Sequence, residues 1–368
     1  TNHKQNQYGF NNYMKEDNIK KLIDFSLEIT QGCQFNCTGC TIDKVHNDYP
    51  SDNQFEKIMS LIDDLKENEF KPMNIQIGPT DVMTASNMDK VLTDERVKKL
   101  TKKFLKTAIN CAFLKPFDED YVKFGKKLNW LLEGGLVKFI IPFEAYHIDN
   151  KEYLNRIRRR IKITLDNMPD VVHTKTYLIM NYEATSIYDR EEKKNLTEKL
   201  ILKTHESDLL EGFDVGFNLA HSLLDLRKPE NAKKLYDSVV NLKNYFVNAK
   251  RKYDDRIDVY DIMPHEGTDW DIFYKSGKLY LTPFLLEAVT SFDEEFEVKK
   301  DWNFKGLYDA YLESFLNQVD WAHKNKDCQN CQFVPMCAER GVHSLMKLMN
   351  TTNCISPLKS LEDKVMWR

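Results

Sequence analysis

The sequence predicts an α/β chain: a parallel sheet built from βαβ units, followed by a smaller, metal-stapled α+β region. Three observations carry this. Six strand-like runs between residues 24 and 219 are mostly separated by segments of helical period. Three cysteines, Cys33, Cys37 and Cys40, stand at C-x3-C-x2-C spacing just after the first run. Four more, Cys328, Cys331, Cys337 and Cys354, fall together near the end as C-x2-C-x5-C-x16-C. Alternation of strand and helix argues for a parallel sheet, and six strands are too few for a closed eight-stranded barrel.

Composition narrows the class. At 368 residues the chain is long enough for two or three domains, and 42% hydrophobic residues make it globular. A net charge of −4 gives no push toward nucleic acid or an anionic membrane. No apolar run approaches a membrane span. The start, Thr1 to Asn12, is polar and lacks the apolar core of a signal peptide. The expectation is a soluble, cytoplasmic protein. Seven of the eight cysteines lie in two groups, which suits metal ligation in a reducing compartment better than disulfides. Cys111 stands alone in an apolar run and is expected as a buried thiol.

The elements follow in order. Residues 1–20, rich in Asn and Lys, read as a loosely held arm. Asp24 to Thr30 alternates apolar and polar residues, as a strand does. Asn53 to Asn68 repeats Ile58, Leu61, Ile62 and Leu65 near a 3.6 period, with Ser51 or Asp52 as N-cap. Met73 to Ile77 is a strand, and a Gly78-Pro79-Thr80-Asp81 turn follows. A helix near Leu92 to Lys102, a strand Leu105 to Leu114, and a helix Asp118 to Leu132 continue the alternation. So do a strand Val137 to Phe143, a helix Lys151 to Asn167, a strand Val171 to Met180, a helix Glu191 to Leu202 and a strand Phe213 to Leu219. The expected first domain is 21–225, with a connecting helix at 226–253 and a second domain at 254–368. In that last part Ile257 to Ile262 reads as a strand. Asp271 to Tyr274 and Lys278 to Leu281 flank Lys275-Ser276-Gly277 as a hairpin, and Leu307 to Val319 is a helix.

The first cysteine run lies on a loop leaving a strand's carboxyl end, where open α/β folds place ligands. Three thiolates on one loop can hold a [4Fe-4S] cluster and leave one iron open. A structural zinc site is the alternative, but its nearest further ligand, His46, lies six residues past Cys40. The motif resembles the signature of the radical S-adenosylmethionine (SAM) enzymes. That resemblance implies an open (β/α)6 partial barrel in which Cys33, Cys37 and Cys40 bind the cluster. The open iron then chelates SAM, and reductive cleavage gives a 5′-deoxyadenosyl radical. The position before Cys40, usually aromatic in the family, is Gly39, which leaves the adenine to Phe35. Gly78, Pro79, Thr80 and Asp81 stand where the family has a Gly-Gly-Glu-Pro-like stretch that meets the SAM amino group. Turn carbonyls, the Thr80 hydroxyl or the Asp81 carboxylate offer acceptors there. Later strand ends offer Glu144 and Glu183, with His147 and Asn181, for the ribose. Arg156 offers a cation for the SAM carboxylate, although the run Arg156 to Lys162 also reads as a solvated helix face.

The second cysteine group offers four thiolates and so a closed site. It resembles the SPASM extension, which follows many radical SAM domains and normally holds two auxiliary clusters with seven cysteines. Here Gly341 replaces the last cysteine of the usual C-x2-C-x5-C-x3-C run, and no cysteine lies between 111 and 328. Both losses fall on the same cluster. The resemblance therefore implies a shortened domain with one auxiliary [4Fe-4S] cluster on Cys328, Cys331, Cys337 and Cys354. A zinc site would use the same thiolates.

With two [4Fe-4S] clusters and SAM, the implied activity is hydrogen abstraction from an unactivated carbon, with the cofactor carrying the hard step. Enzymes of this architecture mostly crosslink, oxidise or epimerise a residue of a peptide or protein, so a maturase is the first expectation. A small-molecule enzyme, such as a sugar or alcohol dehydrogenase, is the second. A non-enzymatic zinc-binding interaction module is the alternative from another class. Nucleic acid is disfavoured, because no basic patch with interleaved aromatics stands out. The family implies a flavodoxin- or ferredoxin-type electron donor. Glu144, His147, Glu183, His221 and Asp271 are unranked candidates for a catalytic base.

Overall fold

The structure is a computed structural model that describes residues 21–35, 48–143, 150–183, 213–220, 270–281, 296–339, 342–348 and 350–354. The arm 1–20, the expected helices at 191–202 and 226–253 and the strand at 257–262 lie outside the described residues.

A strand–helix alternation opens the chain. Strand β1 (Leu22–Glu28) is followed by α1 (Asp52–Glu67), β2 (Lys71–Gly78), α2 (Met88–Thr93), α3 (Glu95–Thr101) and β3 (Lys106–Asn110). Then come α4 (Asp118–Leu131), β4 (Leu136–Phe143), α5 (Lys151–Asp166), β5 (Val172–His173), β6 (Thr176–Glu183) and β7 (Phe213–Ala220). The sheet runs β7-β6-β4-β3-β2-β1-β8-β9, where β8 is Trp270–Lys275 and β9 is Lys278–Leu281; β5 pairs with β4 off this path. Every pair from β1 to β7 is parallel. Each long strand therefore lies beside the one before it, the order of a (β/α) barrel rather than of a doubly wound sheet. Among the described residues β7 stands at one end and β9 at the other, so the barrel is partial and open there.

Local chemistry sets the element ends. Ser51 caps α1: its hydroxyl accepts from Gln54 N at 3.3 Å while Gln54 Oε1 accepts from Ser51 N at 2.8 Å, a full capping box. The helix expected at 92–102 begins earlier, at Met88, and breaks at Asp94. The Asp94 carboxylate accepts from Arg96 N at 2.8 Å and starts α3 as an N-cap, and this capping ends α2. The strand expected at 171–180 is split. Thr174 leaves the ladder, and both its backbone N (2.9 Å) and its hydroxyl (3.0 Å) donate to Val137 O. The strand expected at 105–114 stops at Asn110.

The hairpin at 270–281 forms, with Ser276 and Gly277 at positive φ in its turn. Its first strand pairs in parallel with β1, from Ile23↔Trp270 to Glu28↔Lys275. Part of the 254–368 span thus belongs to the sheet of the first span. Helix α6 (Phe304–Lys324) follows it back onto α1, where Phe304 N donates to the Asp64 carboxylate. The Phe70 ring lies 4.8 Å from Trp270 and 5.7 Å from Phe304, centroid to centroid.

One face of the sheet carries Ile23, Phe25, Leu27, Ile75, Ile77, Ile109 and Phe139, all buried in one core with Ile58, Leu61 and Leu65 of α1 and Leu128 of α4. The strand period of two sends Asp24, Ser26, Glu28, Asn74, Gln76 and Asn110 to the other face. Among the described residues, no helix is long and apolar enough to cross a membrane.

Candidate metal and cofactor sites

The first cysteine run begins where β1 ends. Ile29 N and Thr30 N both donate to Gly78 O, at 2.8 and 2.9 Å, so the chain past β1 stays fastened to the end of β2. The Thr30 hydroxyl accepts from Thr80 N (3.0 Å) and from the Thr80 hydroxyl (2.8 Å). Asn87 takes the next residues: its Oδ1 accepts from Gln31 N, and its Nδ2 donates to Ile29 O. Ser86 N and Oγ both donate to Gln31 O. Gly32, at φ +69° and close to Ser86, turns the chain; a side chain there would strain the backbone. Cys33 emerges from this frame half-buried, its Sγ 3.9 Å from the Thr84 hydroxyl. Cys37 and Cys40 lie outside the described residues.

The Gly78-Pro79-Thr80-Asp81 turn is the other half of this frame and begins with a cis Gly78-Pro79 bond. Thr80 is 2% exposed and Asp81 9%. Asp81 Oδ1 accepts from Thr84 N at 2.8 Å, and Oδ2 accepts from Ala112 N. Burial raises the Asp81 carboxyl above its ordinary range, against these donated hydrogen bonds. Gly78 O accepts from the chain just past β1, and Pro79 O accepts from Asn110 Nδ2 at 3.2 Å. A Cβ on Gly78 would stand 3.0 Å from that same Nδ2, a tight contact that the Asn110 side chain would have to relieve. The acceptors expected for a ligand's ammonium thus hold the loops after β1, β2 and β3 together.

The remaining expected contacts are placed as follows. Phe35 is half-buried within the cysteine run, two residues past Cys33. Arg156 is on the exposed side of α5, with its guanidinium 5.7 Å from the Tyr153 ring. Four residues on, Arg160 is buried and donates to Phe113 O at 2.7 Å. Glu183 ends β6 opposite Ala220. Asp271, in β8, is paired with Asp24 in the strand register. Glu144, His147 and His221 lie outside the described residues.

Sequence reasoning missed Glu28. It sits at the carboxyl end of β1, five residues before Cys33, only 7% exposed and 3.9 Å from Lys275 Nζ. Burial pushes its carboxyl up to about 7, with Lys275 pulling the other way. The signal was present: Asp24, Ser26 and Glu28 alternate with apolar residues and so share the polar face.

Cys111 is fully buried, and that burial holds its thiol far above the ordinary range. None of the described cysteines is in a disulfide.

The second group is built on short helical turns. Cys328 N donates to Asn325 O, Cys331 N to Cys328 O, and Cys337 N to Phe333 O as α7 (Val334–Glu339) begins. The Asp327 carboxylate accepts from Cys354 N at 3.2 Å, which draws the last cysteine back to the first. Cys328, Cys331, Cys337 and Cys354 line one small cavity, completed by Asp327, Phe333, Val334, Val342, His343 and Met346. Helix α8 (Val342–Leu348) is clamped to α6 through Gln318, which is fully buried: its Nε2 donates to Ser344 Oγ, and its Oε1 accepts from Ser344 N at 2.8 Å. His343 is 1% exposed, and its Nδ1 has no hydrogen-bond partner among the described residues. An unsatisfied buried polar atom costs about 1–3 kcal/mol.

Among the described residues, no three His, Cys, Asp or Glu side chains are gathered as a group that could hold a single metal ion. The four cysteines instead face a shared cavity. Four thiolates around one cavity are a donor set that fits a [4Fe-4S] cluster.

No family model and no curated protein matches the chain. Solved structures do. One is hexahistidine-tagged anSMEcpe with bound AdoMet, at 12% identity and TM-score 0.48 over 90% of this chain and 99% of that one. Another is Streptococcus suis SuiB bound to its precursor peptide SuiA, at 14% identity and TM-score 0.49 over 96% of this chain and 78% of that one. A third is SuiB bound to S-adenosylmethionine, at 15% identity and TM-score 0.47 over 96% and 79%. At this level of likeness nothing about site or substrate transfers from them.

Proposed function

We propose that the chain is a radical SAM enzyme that abstracts hydrogen from a peptide or protein substrate. One observation carries the reading: a C-x3-C-x2-C run starts at the carboxyl end of β1 in an open parallel βα barrel, on a loop fixed at its origin. Cys33, Cys37 and Cys40 would hold a [4Fe-4S] cluster, and with SAM that cluster supplies a 5′-deoxyadenosyl radical. The chain's own residues do the rest. The Thr30–Thr80 and Asn87–Gln31 hydrogen bonds set where Cys33 leaves the sheet. Glu28, with its carboxyl raised to about 7, holds or releases a proton near neutral pH at the same end of the sheet. Cys328, Cys331, Cys337 and Cys354 would hold the auxiliary cluster. The likeness of their spacing to the SPASM extension supports the peptide substrate. The single four-cysteine group supports a second reading, a sugar or alcohol as substrate.

The test is anaerobic reconstitution with iron and sulfide, followed by dithionite and SAM. The expected result is about eight irons per chain and 5′-deoxyadenosine formation. Replacing Cys33, Cys37 and Cys40 together by Ala should leave about four irons and no 5′-deoxyadenosine. Zinc in place of iron, with no 5′-deoxyadenosine, would overturn the enzyme reading. Mass change in a peptide encoded beside the gene would decide for the peptide, and turnover of a deuterated sugar or alcohol with label in 5′-deoxyadenosine for the small molecule.

A further inference from the structure

The cavity of the second cysteine group is not lined by cysteine chemistry alone. His343 faces it from α8, and its Nδ1 is sealed from solvent without a protein partner among the described residues. The segment that carries the ring is held in place. Ser344, its neighbour, is locked to Gln318 through both amide atoms, and the ring lies 5.6 Å from the Trp321 ring, centroid to centroid. A buried imidazole nitrogen held in this way needs a partner, and the cavity it faces is where that partner would be.

Resting on the cluster reading above, we infer that His343 donates an Nδ1–H hydrogen bond to a sulfur of the auxiliary [4Fe-4S] cluster and so raises its reduction potential. The role follows from counting ligands. Four thiolates already match four irons, so no iron is left for the imidazole. Cluster sulfurs are acceptors, and their negative charge grows when the cluster takes up an electron. A fixed N–H therefore favours the reduced state. The sequence gives no hint of this: His343 belongs to no cysteine spacing, and only the docking of α8 on α6 brings it to the cavity.

The test uses the full chain with Cys33, Cys37 and Cys40 changed to Ala, so that the auxiliary cluster is the only one observed. Iron is counted, and the midpoint is read by a potentiometric titration followed by electron paramagnetic resonance. His343→Leu removes the donor, His343→Phe removes it but keeps a ring against Trp321, and His343→Asn returns an N–H near Nδ1. The expected result is about four irons in every variant. The Leu and Phe variants should show a roughly tenfold lower reduced-to-oxidised ratio at a given potential, about 59 mV for one electron, with recovery in the Asn variant. Unchanged midpoints in Leu and Phe would overturn the inference and leave the cluster reading intact. Loss of iron in both would overturn it in favour of a ligand or packing role. Zinc in the parent protein would overturn the cluster reading and the inference with it.

Discussion

At Asp81 a single carboxylate serves two loops, accepting from Thr84 N and from Ala112 N, 31 residues further on. Asp81→Ala takes the carboxylate acceptor from buried Ala112 N and leaves Thr84 N only its longer bond to the residue 81 carbonyl, 3.3 Å. The expected loss is about 3 kcal/mol in chemical denaturation, with a smaller loss for Asn, which keeps one acceptor oxygen. Glu28 is raised by burial as well, and it makes stability depend on pH. Its folded carboxyl titrates near 7 against an ordinary value of 4.5, so between those values the folded chain binds the extra proton. Stability therefore falls as pH rises from 4.5 to 7 and levels off above it, by at most about 3 kcal/mol. Glu28→Gln should flatten that fall and be the more stable form at about pH 8, as thermal unfolding across pH would show. A parallel fall in both proteins would exclude Glu28 as its source. The carboxylates were visible in the sequence. Their duties were not, because a turn motif does not state which distant amide will need its oxygen.

At the scale of elements, α1 and α8 depend on different supports. The capping box at Ser51 and Gln54 closes the start of α1, and Ser51→Ala is expected to cost about 1 kcal/mol, measured by urea denaturation. That cap was legible, since a Ser three residues before Gln is a local pattern. Helix α8 is seven residues long, too short to stand alone, and is held through the amide of Gln318. Gln318→Ala should speed amide exchange across Val342–Leu348 while α1 and α4 exchange as before. Equal exchange in α8 would mean that its apolar contacts suffice. The split at Asp94 shows the limit of periodicity: the apolar pattern runs across the break, and the stronger local signal was the side chain that caps α3.

At the scale of the whole molecule, the described part of the C-terminal segment is attached to the sheet and to α1. Its hairpin extends the parallel sheet at β1, and the start of α6 is held by Phe304, whose N donates to Asp64 of α1 and whose ring packs on Phe70 and on Trp270 of β8. The second half of α6 and the cysteine region share a small core of their own, Phe315, Val319, Ala322, Val334 and Ala338 with Cys328. So small a core needs a staple. Removing the metal with a chelator should open residues 325–354 to protease while the sheet from β1 to β4 stays protected. Cleavage spread evenly over the chain would mean that the metal is not what holds this region. The sequence by itself determined the alternation of strands and helices, the polar and apolar faces of β1, and both cysteine groups. All of these are written in residue types at short spacing, where period and ligand chemistry act. Only the tertiary structure decided that the hairpin at 270–281 lies against β1, that Thr80 braces the start of the cysteine loop while Asp81 ties the loops after β2 and β3, and that His343 lines the cavity of four cysteines. Those pairings join residues far apart in the chain. They form because burial of the shared core closes long loops, and buried polar atoms then take whichever partner the packing has brought within reach.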